Sequence, residues 1–232
     1  MDDNLTPGIA RDDDRWHAPG LHAIGDAVRA SVVQVRPDGA GGAGVVFDIS
    51  GRRVVVTNAH VTRGDVGTPI LVVTNEGKVM EMRVEAIDAR RDLAILAGNP
   101  TVTSGESNLP AATPGDLSLA RAGQLVVAVG HPFGLANAMT TGVLQSIGPV
   151  WGHAELPAGK GALPWLQADI HLAPGNSGGP LCDVQGRVLG INTMVAHGLA
   201  LAVPIDGVLE FLERYPLKSV EDIRISAVGV RS

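Results

Sequence analysis

The stretch HLAPGNSGGPL, His171 to Leu181, surrounds one serine, Ser177, with Gly175, Gly178 and Gly179 and with Pro174 and Pro180. A serine hydroxyl becomes a nucleophile only when a base takes its proton and an acid orients that base. Two upstream stretches supply those residue types. VVVTNAHV sets His60 just past the end of an apolar strand, among small and apolar neighbours where an idle, half-charged imidazole gains little. RRDLAILA sets Asp92 at the mouth of another apolar strand, where a partly desolvated carboxylate seeks a charged or hydrogen-bonding partner. Histidine, aspartate, serine is one of the chain orders in which this constellation occurs.

Two other motifs compete and lose on context. Gly39 to Gly44, GAGGAG, matches the dinucleotide fingerprint, but that turn must open a helix whose N-terminus takes the pyrophosphate, and a strand, VVFDIS, follows instead. Gly175 to Gly179 matches the nucleophile elbow of α/β-hydrolases, which needs a following helix and then an acid and a histidine. Here PLCDVQGRVLGINT reads as strand, turn, strand, and only His197 lies downstream.

The elements that must position these residues are short strands: VVQV, AGVVFDIS, RRVVVTN, ILVVT, KVMEMRVEAI, LAILA, QLVVAVG, GVLQSIG, WLQADI, RVLGINT and LALAVPI, parted by Gly, Pro, Asn and Asp turns. Such a series predicts an all-β barrel or sandwich. KVMEMRVEAI alternates, with Met80, Met82, Val84 and Ala86 on one face and Glu81, Arg83 and Glu85 on the other. A short helix is expected ahead of VVQV. A second is expected at VLEFLERYP, where Val208, Leu209, Phe211 and Leu212 fall at helical spacing before Pro216. Between LAILA and QLVVAVG a polar Pro/Gly/Ser/Thr stretch reads as the crossing between two lobes.

With 232 residues, 45% of them hydrophobic, the chain can bury a substantial core. The net charge is −6, and half of that excess lies in residues 1 to 20, where five aspartates face Arg11 and Arg15. That tail is expected to be solvated and mobile, and no basic stripe tracks phosphates, so nucleic acid is not an expected partner. No run reaches the length of a membrane span, and the acidic start lacks the pattern of an export signal, so the expected compartment is cytoplasmic. The single cysteine, Cys182, permits no internal disulfide and reads as a buried core residue. His131, His153, His171 and His197 show no metal-ligand spacing and read as surface or loop histidines, and no metal or cofactor is expected. Trp16, Trp151 and Trp165 read as packing residues.

TNAHV, DLAIL, GHPFGL, GNSGGPL, GINT and LAVPI, in this order, resemble the trypsin-like serine proteases of the HtrA (Deg) family over about residues 25 to 215. The resemblance implies two six-stranded antiparallel β-barrels of the chymotrypsin/trypsin type, with the site in the cleft between them and a short C-terminal helix. It divides the chain into an acidic tail (1 to 20), a protease domain (21 to 216) and a C-terminal tail (217 to 232). Within the domain, barrel 1 spans about 21 to 98, the crossing 99 to 120, barrel 2 121 to 204 and the helix 205 to 215. Ser177 is then the nucleophile, His60 the general base and acid, and Asp92 the group that fixes the imidazole tautomer. Gly175, Asn176 and Ser177 form the oxyanion turn, with the N–H groups of Gly175 and Ser177 aimed at one point.

The resemblance further implies a specificity pocket with His171 at its floor and Leu172, Met194 and Val195 as walls. No acid stands there to select lysine or arginine, so cleavage after a modest apolar residue is expected, with a polar contact by His171 as an open alternative. The expected function is a serine endopeptidase that cuts unfolded or exposed polypeptide segments in quality control or processing. A peptide-binding scaffold using the same cleft without turnover is the rival. The family usually adds an export signal or membrane anchor and PDZ domains, which these residues do not show. The loop after the first strand is reduced to RPDGAGGAG, and VWGHAELPAGKGALP corresponds to a loop that senses activating ligands. Family trimers use aromatic contacts near the N-terminus, where Trp16 is the only aromatic here, so the homo-oligomer is left open.

Overall fold

The computed structural model describes residues 20–38, 41–98, 109–150 and 164–214. Helix α1 (Leu21–Arg29) leads into strand β1 (Val32–Arg36), and β2 (Gly42–Ile49), β3 (Arg52–Asn58), a one-turn helix α2 (Ala59–Thr62), β4 (Pro69–Val73), β5 (Val79–Asp88) and β6 (Leu93–Gly98) follow. Then come β7 (Leu125–Gly130), β8 (Ala138–Gly148), β9 (Trp165–Asp169), β10 (Pro180–Cys182), β11 (Val188–Ala196), β12 (Leu199–Pro204) and helix α3 (Ile205–Arg214). Each set of six strands closes on itself, in the orders β1-β2-β3-β6-β5-β4 and β10-β11-β12-β9-β8-β7, every pairing antiparallel. The expected pair of six-stranded barrels is therefore present. Closure removes exposed sheet edges, the usual liability of all-β chains.

Continuous apolar runs such as VVVTN follow from burial on both faces. Val55 faces the interior of the first barrel with Val33, Val46, Val72, Met82 and Leu96. Its neighbours Val54 and Val56 face a second cluster shared by both barrels, with Leu93, Ile95, Val127, Val129 and Ile191. A strand's period of two thus serves two cores at once. The second barrel is filled by Val126, Ala128, Leu144, Leu166, Leu181 and Ala202. In β5 the even-numbered residues Met80 to Ala86 are buried while Glu81 and Arg83 are exposed, as the alternation predicts.

Helix α3 buries Ile205, Val208, Phe211 and Leu212 in the shared cluster. Cys182 is fully buried, and that burial, with the nearby Asp183 charge, pushes its thiol pKa well up, so it behaves as a core residue. Trp165 is buried as well. Trp16, Trp151, His153 and Pro216 lie outside the described residues. No described helix is long and apolar enough to cross a membrane.

Candidate active site

His60 sits on α2, the single turn that ends β3, and Asp92 immediately precedes β6, the strand paired with β3. The pairing brings the two together: Nδ1 of His60 lies 2.7 Å from Oδ2 of Asp92, and Oδ1 accepts the His60 backbone N–H at 3.0 Å. The carboxylate is nearly buried and the imidazole half-exposed. Asp92 adopts a left-handed φ of 59°, a conformation that a non-glycine residue keeps only when its surroundings impose it. Two donors impose it here, since the Asp92 carbonyl accepts Nδ2 of Asn58 at 2.9 Å and the Ala59 N–H at 3.1 Å.

Ser177 lies in the second barrel's turn before β10. Its hydroxyl donates to the Thr193 carbonyl at 3.2 Å, and among the described residues no hydrogen bond joins it to His60. The two halves are linked through Asn58, whose Nδ2 also donates to Oγ1 of Thr193 at 3.0 Å. The Ser177 carbonyl accepts the Ala43 N–H at 2.8 Å, tying the nucleophile's backbone to the first barrel.

The glycines around Ser177 answer to geometry. Residues Ala173 to Asn176 form a turn closed by Asn176 N–H to Ala173 carbonyl at 3.0 Å, with Gly175 at φ 108°, the position where a type II turn demands glycine. The Pro174 carbonyl accepts the Phe133 N–H at 3.0 Å. In a trans peptide the N–H points opposite to the carbonyl, so the Gly175 N–H is directed away from Phe133. Gly178, at φ 84°, packs so close to the Ala43 carbonyl and the Thr57 hydroxyl that a Cβ would overlap both.

Beside Ser177 lies a cavity of about 440 Å³ lined by Leu172, Ala173, Pro174, Asn176, Ser177, Thr193, Met194 and Val195. Leu172, Met194 and Val195 are among its lining. His171 does not line it; this residue is exposed. His131 lies in the β7–β8 loop, but it is buried rather than at the surface, only 5% exposed. Burial, with Arg36 adding repulsion and the Val33 backbone opposing, lowers its pKa to about 4, so it is neutral. Asn58 and Thr193 stood in the quoted motifs without a role. Their contact spans 135 positions and carries no local signal.

A trypsin-like peptidase domain model matches residues 42–191. The chain is 36% identical over 168 residues to a putative serine protease HhoA of Synechocystis, covering 71% of this chain and 40% of that protein. It is 32% identical over 195 residues to the mouse serine protease HTRA3, covering 82% and 40%. It superposes on a variant of the HtrA-type protease AlgW solved with a tripeptide, with TM-score 0.68 and 28% identity over 82% of this chain and 62% of that one. The chain spans about two-fifths of the length of these curated relatives. With the closed barrels, the ordered motifs and these matches together, the chain belongs to the trypsin-like peptidase family as an HtrA-type protease domain.

Proposed function

We propose that the protein is a serine endopeptidase that cuts unfolded or exposed polypeptide segments after a modest apolar residue. The observation that carries this reading is the doubly held His60, with Nδ1 2.7 Å from Asp92 and its ring edge open to solvent. With Nδ1–H directed at the carboxylate, Nε2 is left as the acceptor that a general base requires.

In this reading the Ser177 hydroxyl leaves the Thr193 carbonyl when substrate binds, and His60 Nε2 takes its proton as Oγ attacks the scissile carbonyl. Asp92 stabilises the imidazolium without itself taking a proton. The oxyanion lies against the N–H groups of Gly175 and Ser177 in the Ala173–Asn176 turn. His60 then protonates the leaving amine, the C–N bond breaks, and water, deprotonated by His60, releases the acyl group.

An apolar preference is supported by the cavity beside Ser177, whose lining by Leu172, Met194 and Val195 holds no charged side chain. A role in protein quality control or client processing is our extension of the family membership. The test is digestion of an unfolded casein-type substrate by wild type and by Ser177→Ala, with the cut sites mapped by mass spectrometry. Cuts after Val, Ala or Leu, absent in the variant, are expected. Cuts mainly after Lys or Arg contradict the pocket assignment, and an intact substrate contradicts the activity.

A further inference from the structure

The oxyanion turn is braced from behind by a loop that the first helix holds. Phe133 N–H donates to the Pro174 carbonyl and His131 N–H to the Gly175 carbonyl, both at 3.0 Å. These donors belong to one tight turn, closed by Gly134 N–H to His131 carbonyl at 3.1 Å and Leu135 N–H to Pro132 carbonyl at 2.9 Å. The loop ends at Asn137, which has a left-handed φ of 58°.

Three elements converge on Asn137. Its N–H reaches Nδ1 of His131 at 3.3 Å, and its side-chain Nδ2 donates to Oδ1 of Asn75, in the β4–β5 hairpin. Its carbonyl accepts Nε of Arg29, in the last turn of α1, at 2.9 Å. Arg29 is fixed in turn by Asp26, at 2.7 Å. The helix lies against the start of β8, so that a Cβ on Gly25 would stand 2.7 Å from Sδ of Met139.

We propose that α1 is a positioning element for the oxyanion turn, with Arg29 as its positioning residue acting through Asn137 and the His131–Leu135 turn. A guanidinium-to-carbonyl bond is charge-assisted and stronger than a neutral one. It helps hold Asn137 in a conformation that the residue alone does not favour. Without it the loop gains freedom, His131 and Phe133 pin the two carbonyls less firmly, and the Pro174–Gly175 peptide spends part of its time turned away from the developing oxyanion. Displacing α1 then lowers turnover without touching substrate. This rests on the endopeptidase reading above.

The test compares wild type, Arg29→Ala and Arg29→Lys for kcat and KM on a quenched peptide, for affinity toward a peptide boronate, and for thermal midpoint. Its control is labelling of the wild type by a fluorophosphonate. For Arg29→Ala the expected kcat is roughly tenfold lower, a fraction of the 10² to 10³ lost with a whole oxyanion donor. KM should stay nearly constant and boronate affinity should fall with kcat, because the tetrahedral adduct places its oxygen in the same turn. The thermal midpoint should hold, and Arg29→Lys should recover most of the loss. A wild type that labels while Arg29→Ala matches it in kcat and boronate affinity overturns the proposal alone. So does a kcat loss explained by a matching loss of folded protein. An unlabelled wild type overturns the endopeptidase reading and the proposal with it.

Discussion

Asp92 holds His60 at two points, through Oδ2 at Nδ1 and through Oδ1 at the backbone N–H, and its own carbonyl is held by Asn58. The ring, the turn that carries it and the turn into β6 that carries the carboxylate are therefore fixed as one unit. Asp92→Asn should keep the fold, since an amide can occupy the same space. The amide offers a donor where an acceptor is needed, selects the wrong imidazole tautomer, and should lower kcat by about 10⁴. Steady-state kinetics on a peptide substrate measure this; a loss below about tenfold would show that the contact does not serve catalysis.

Gly175→Ala should impair catalysis out of proportion to its size. A Cβ there overlaps the His131 carbonyl oxygen, and φ of 108° strains any side chain. The turn must rearrange, which should remove an oxyanion donor and lower kcat by roughly 10² to 10³ with KM little changed. Wild-type kinetics in the variant would contradict the role given to this turn.

His131 predicts a pH dependence of stability. Its folded pKa is lowered from 6.5 to about 4 by burial first and by Arg36 second. Between those values the unfolded chain binds the proton more readily than the native one, so native stability falls with falling pH. The contribution is full above about pH 6.5 and lost as pH approaches 4, in total on the order of 3 kcal/mol. Protonation also sets Nδ1–H against the Asn137 N–H. Urea unfolding at a series of pH values should give a steeper decline for wild type than for His131→Asn across this window; parallel curves would refute the assignment.

Arg91 bridges the first barrel to α3, pairing with Asp88 at 2.9 Å and with Glu210 at 2.5 Å. Burial alone would raise the Asp88 pKa; the Arg91 side-chain bond, backbone N–H and charge, with the Arg90 N–H, outweigh it and hold the carboxyl below its ordinary value. Arg91→Ala strands a carboxylate whose side chain is only 8% exposed and should cost about 2 kcal/mol. Thermal or urea unfolding reads this directly, and a change under about 0.5 kcal/mol, the range of ordinary surface substitutions, would contradict it.

Much of this architecture is legible in the sequence because it is local. The alternation of KVMEMRVEAI reports its two faces, and the glycines flanking Ser177 report positive φ and close backbone approach. The runs VVVTN and LAILA are legible as strands, yet nothing in them says that alternate residues feed two different clusters. The burial of His131 arises where the β7–β8 loop is covered by α1 and the first barrel, and no neighbouring residue announces it. Thr193 and Asn58 meet only because β11 and β3 converge in the folded chain. His171, beside the turn in sequence, is exposed and does not line the cavity, while its neighbours Ile170 and Leu172 are buried and partly buried; that difference is set by how the segment packs and not by its residue types.

Activation of Ser177 is read by intact-mass spectrometry after incubation with a fluorophosphonate, because such reagents need a formed base and oxyanion site rather than an exposed hydroxyl. Wild type should gain one adduct mass, while Ser177→Ala and His60→Ala should gain none. Folded wild type that stays unmodified, or equal labelling of Ser177→Ala, would show that Ser177 is not an activated nucleophile.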